Sequence, residues 1–144
     1  MNTEENAEVN VEENPAGFVL NIGLHPRAVD GPGRPRDLMP HVTAEQVQAG
    51  LDAAGAELAG MGLRFDTCLL DRAPGGEERV RDALLAQDYD VIVFGGGVRL
   101  DPAMTPLFEK LVDVARVHAP GAALCFNTGP DTTIDAVRRW WPRG

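Results

Sequence analysis

The chain has 144 residues, 44% of them hydrophobic, and a formal net charge of −9. That size suits one domain able to bury roughly two-thirds of its unfolded surface. No apolar run approaches the ~20 residues of a membrane helix and no charged-then-apolar leader opens the chain, so a soluble, cytoplasmic protein is expected. The acidity and the lack of a basic stripe weigh against nucleic acid, whose phosphates need clustered Lys and Arg.

In chain order, residues 1–16 read as a disordered acidic tail. Glu4, Glu5, Glu8, Glu12 and Glu13 stand there without a Lys or Arg, and such a segment buries too little apolar surface to order itself. A single domain then spans 17–144. Its first strand is predicted at 18–24. A loop at 25–42 follows, in which Pro26, Gly31, Pro32, Gly33, Pro35 and Pro40 exclude regular structure, and it is placed to act as a lid. The first helix opens at a capping box, Thr43 with Gln46, carries Val47, Leu51, Ala54 and Leu58 on one face, and stops near Gly60 and Gly62.

A second strand is predicted at 64–70 and a second helix at 77–87, with Val80 and Leu84 inward. The third strand, 90–94, runs into Gly95, Gly96 and Gly97, then Arg99. A third helix follows Pro102 or Pro106, presents Leu107, Leu111, Ala115 and His118, and ends at Pro120 and Gly121. The fourth strand is predicted at 122–126, and a last helix runs from Asp131 or Thr132 to Trp141. Cys68 and Cys125 fall inside apolar runs and read as reduced core residues. Short apolar strands alternating with helices mark βαβ units and a parallel sheet. Right-handed crossovers favour the order 2-1-3-4, a minimal flavodoxin-like, Rossmann-like three-layer sandwich with a crevice between the first and third strands.

Three loop ends enter that crevice. Glycines at a strand's C-terminal end bring backbone N–H groups to a ligand, so Gly95, Gly96 and Gly97 with Arg99 suit an anion; a tight turn alone would also need glycine. His25 leaves the first strand, followed by Pro26 and Arg27. It can transfer a proton near neutral pH, or stand as an ordinary loop residue, and Arg27 is a candidate substrate ligand. Asn127 can orient a ligand, whereas Thr128 and Asp131 are best explained as a turn and a helix cap. His41 and His118 read as loop and helix residues. No spacing resembles a zinc or calcium motif, so no metal is expected. There is no dinucleotide or P-loop fingerprint, and the sequence contains no serine, which excludes a serine nucleophile.

Gly23-Leu24-His25-Pro26, Gly95-Gly96-Gly97-Val98-Arg99 and Phe126-Asn127-Thr128 with Pro130-Asp131-Thr132 together resemble a family of small bacterial flavodoxin-like proteins of unassigned activity. The likeness spans roughly residues 17–141 and implies the fold and these three loops. Asn21, Arg27 and Arg34 are loosely similar to the Asn and Arg of type II dehydroquinases. That family needs a tyrosine in the loop after the first strand, and the only tyrosine here is Tyr89. Receiver domains would require clustered acids and a phosphoacceptor Asp where His25 and Gly95 stand.

The function expected from these readings is a cofactor-independent enzyme using acid/base chemistry on a small polar or anionic metabolite. Arg99, Arg27 and the glycines would bind it, Asn127 orient it and His25 transfer the proton. The alternative is a non-catalytic module for a small ligand or a protein. Flavin is disfavoured because the first loop lacks an aromatic residue and a serine. The terminal Trp140 and Trp141 and the outer strands of a four-stranded sheet point to a homodimer or larger oligomer.

Overall fold

Residues 19–24 are all buried, which puts the first strand, β1 (Gly17–Leu24), in the middle of a sheet. The computed structural model describes residues 14–29 and 42–143. The elements that follow β1 are α1 (Pro26–Val29), α2 (Ala44–Gly60), β2 (Leu63–Leu70), α3 (Gly76–Ala86), β3 (Val91–Phe94) and α4 (Gly96–Arg99). A 3-10 turn (Pro102–Met104), α5 (Thr105–His118), β4 (Ala123–Phe126) and α6 (Thr133–Arg138) complete the elements among the described residues. The four strands are parallel and ordered β2-β1-β3-β4, the α/β sandwich expected from the sequence. Most of the expected tail and residues 30–41 of the expected lid lie outside the described residues.

The sheet separates two apolar layers. Leu20, Ile22, Ile92 and Phe94 meet Val80, Leu84, Leu111 and Ala115 of α3 and α5 on one face. Val19, Val91, Val93 and Cys125 meet Ala54 and Leu58 of α2 and Ile134 and Val137 of α6 on the other. Side chains alternate along a strand, so Asn21, between Val19 and Gly23, falls on the α2/α6 face. There it is paired in register with Thr67 of β2 and Val93 of β3.

Helix α2 begins where its capping box predicts. Thr43 Oγ1 accepts from Gln46 N–H at 3.2 Å, and Thr43 N–H donates to Gln46 Oε1 at 2.9 Å. Of its expected inward face, Ala54 and Leu58 are buried while Val47 and Leu51 are only half-buried. Gly50 allows α2 to approach the β4–α6 loop. A Cβ at that position would lie 2.2 Å from the Pro130 carbonyl oxygen, closer than atoms can pack. The last helix is shorter than predicted. It ends at Arg138; Trp141 packs on Gly17, where a Cβ would come within 2.4 Å of its ring, and Trp140 stays exposed. Helices α1 and α4 were not foreseen because a single turn shows no hydrophobic period.

Among the described residues no helix is long and apolar enough to cross a membrane. An ion pair of 2.7 Å joins Arg72, after β2, to Asp101, before the 3-10 turn, where Asp101 is 5% exposed. Asp101 also caps that turn by accepting from Ala103 N–H at 3.0 Å.

Candidate functional site

The crevice sits where β1 and β3 end, under α2 and the β4–α6 loop. Asn21, Gly23 and Leu24 form its floor, and Gly95, Gly96 and Gly97 one side. Val47 and Leu51 face them, and Asn127 to Pro130 with Thr133 close the far end. Its volume is about 60 Å³, room for a few waters or the head group of a small molecule. Gly97 holds this shape by contact: a Cβ there would lie 2.8 Å from Leu24 Cγ. Gly96 and Gly97 occupy the first turn of α4, where backbone N–H groups have no partner within the helix.

Two buried amides dominate the chemistry. Asn21 is 4% exposed and Asn127 7%. Asn127 Nδ2 donates to Thr133 Oγ1 at 3.1 Å, which fixes the side chain. The Oδ1 atoms of both asparagines are fully buried and have no hydrogen-bond partner. Leaving such an oxygen unmet costs about 1–3 kcal/mol, so the pair marks a place where water or a ligand completes the structure.

No protein-family model and no curated protein matches this chain. The site therefore rests on its own geometry, which brings together only part of what the sequence suggested. Gly95, Gly96, Gly97 and Asn127 line the crevice; His25, Arg27 and Arg99 do not. His25 Nδ1 accepts the Arg27 backbone N–H at 3.1 Å, and His25 N–H donates to Leu70 O at 2.7 Å. The imidazole thus caps α1, and its neutral form carries the proton on Nε2. Arg27 turns to the β2 end, 4.0 Å from Asp71, with 72% of its side chain exposed.

Arg99 departs furthest from expectation. Its guanidinium donates from Nη2 to the Asn127 carbonyl and lies 5.5 Å over the Phe126 ring. The cation is engaged in holding the end of β4 to the turn after β3, and its Nε is buried without a partner. Asp131 does not cap the last helix. Thr132 occupies that position without a side-chain cap bond; its hydroxyl instead accepts from Thr128 N–H at 2.8 Å and Gly129 N–H at 3.1 Å and winds the loop before the helix.

Among the described residues, no titratable side chain lines the crevice, and no three His, Cys, Asp or Glu residues are grouped to hold a metal. Cys125, a core residue of the same face, is no nucleophile: burial pushes its thiol up to about 11, against a smaller opposing effect of Arg139. Asn21 is the site residue that the predicted ligand set omitted. Its signal was an amide inside an apolar strand, Phe-Val-Leu-Asn-Ile-Gly-Leu.

Proposed function

We propose that this protein binds a small polar molecule in the crevice between β1 and β3, as a binding module and not as an acid/base catalyst. The observation that carries this reading is that Asn21 and Asn127, two buried asparagines whose Oδ1 atoms the protein leaves unpartnered, line one cavity. Buried polar atoms are normally met, and a site built to hydrogen-bond a ligand is where they stand open. Proton transfer would require a titratable group within reach of the ligand. Among the described residues the lining supplies none, and His25 is committed to α1 through Nδ1.

Titration of the full chain with a library of small polar compounds, followed by amide NMR, tests the proposal. Binding should move the backbone resonances of Gly95, Gly96 and Gly97 and the side-chain amides of Asn21 and Asn127. Leu51→Trp, which fills the crevice, should abolish those shifts. A library that leaves these resonances unmoved defeats the proposal. Conversion of a bound compound that disappears in His25→Ala restores the enzymatic reading.

The expected homo-oligomer draws its support from the β4 edge. Among the described residues that strand pairs only with β3, and its last residue, Phe126, is 39% exposed, so this edge is open to a second copy. Arg139 works against this pairing by donating to Phe126 O at 2.8 Å. Light scattering should give a dimer or larger; a monomer mass removes the idea. The cytoplasm is the compartment that suits two buried, unpaired cysteines, Cys68 and Cys125.

A further inference from the structure

We infer that two copies of this chain join β4 edge to edge, antiparallel about Leu124, so that their sheets continue into one another across a two-fold axis. The inference rests on the homo-oligomer proposed above and names its register and symmetry.

The backbone of β4 determines which groups the edge presents. Ala123 N–H donates to Asp90 O at 2.9 Å and Ala123 is paired with Val91, so the N–H and C=O groups of Ala123 and Cys125 turn toward β3. Those of Leu124 and Phe126 then turn outward. Two groups at the ends of this edge are already met. Phe126 O accepts from Arg139 at 2.8 Å, and Ala122 N–H donates to Ala119 O at 3.1 Å. With Leu124 opposite the partner's Leu124, each donates to the other's carbonyl, and the two occupied groups face one another and need nothing more. A slip of two residues in one direction would require the Phe126 carbonyl, whose outer side Arg139 holds; in the other it would require the Ala122 N–H. Arg139 thus opposes pairing at the strand's end and, by doing so, selects a self-complementary register.

Helix α5 fits the same axis. It runs opposite to β4 and lies over both β3 and β4, since the Phe108 ring stands 5.4 Å from the Phe94 ring and 6.5 Å from that of Phe126. Strands are spaced about 4.8 Å apart, so an axis at the β4 edge sets the two α5 helices about 10 Å apart, an ordinary packing distance. Four residues of helix and two of strand both advance about 6 Å, which brings Val112 level with Leu124. Glu109 and Arg116, both exposed, flank Val112 on that side of α5. The axis exchanges the two ends, so Glu109 of each copy meets the partner's Arg116. Opposite charges therefore face each other twice, above the half-buried Val112 and Leu124. Within one chain Arg116 reaches Asp113 at 2.9 Å, an exposed pair that holds it only weakly.

The test uses the full chain. Light scattering across a dilution series should give a dimer. The Leu124 N–H should exchange with solvent at least tenfold more slowly in that dimer than in the chain dissociated by dilution or by charge reversal. Glu109→Arg or Arg116→Glu alone should weaken association about tenfold, and the two together should restore it. Both positions are exposed, so the fold is kept. A dimer whose Leu124 amide exchanges as fast as in the dissociated chain would overturn this pairing and leave the homo-oligomer standing, and so would a double variant no tighter than the single ones. A monomer at every concentration would overturn both.

Discussion

Asn21→Leu should make the protein more stable by about 1–3 kcal/mol and raise its melting temperature by a few degrees. The residue lies on the central strand, 4% exposed, with its Oδ1 buried and unmet. Replacing an unsatisfied polar group by an apolar one of similar shape removes a desolvation cost without breaking a bond. The larger side chain has somewhere to go, since the crevice of about 60 Å³ adjoins it. Such a gain, joined to loss of ligand binding, is the stability–function trade-off of a site kept open for an occupant. Urea unfolding of the two chains measures it. A less stable variant would mean that ordered water satisfies the amide in the free protein, and the argument for an open site would fall.

The second large effect lies outside the crevice. Asp101→Ala should cost about 3 kcal/mol or more, because it strands the Arg72 guanidinium, whose side chain is 26% exposed, without its partner at 2.7 Å. It also uncaps the 3-10 turn. The same pair sets an acid limit. Burial raises the Asp101 carboxyl, but the hydrogen bond and charge of Arg72 and the Ala103 N–H outweigh it and hold the group below its ordinary 3.8. A carboxyl depressed in the folded state stabilises fully at pH well above 3.8, and the contribution disappears as pH falls through the lower folded value.

Asp66 adds to this in the same direction. Its burial is outweighed by hydrogen bonds from Arg64 and Tyr89. Stability should therefore fall steeply on the acid side of 3.8, and Asp101→Asn should flatten that fall while leaving part of the Asp66 contribution. Denaturant midpoints across the acid range check this. An unchanged slope in Asp101→Asn would show that the pair does not control acid unfolding.

Strand positions and their order were legible because fully covered strands are short apolar runs, and the observed boundaries differ from the expected ones by a single residue. The capping box at Thr43 placed the start of α2 for a similar reason: the pattern is local. What the residues of the site do was less legible, since it depends on where long side chains turn. Arg99 sits in the turn after β3 as expected, yet whether its guanidinium reaches a ligand or the Asn127 carbonyl is decided by the position of β4, remote in sequence. His25 was legible as a residue leaving β1, but its capping of α1 depends on a one-turn helix without periodicity. Asn21 was visible as an oddity, and only the packing of α2 and the β4–α6 loop makes it the floor of a cavity.

The contact of Gly50 with Pro130 has a consequence for redesign. Because no side chain fits between them, α2 and the loop after β4 act as one abutment. The adjustable wall is the pair Val47 and Leu51, one turn apart and free of such a contact in their half-buried positions. A larger or differently shaped guest could be accommodated by trimming or exchanging those two side chains, with the amide floor and the glycine wall left as they are.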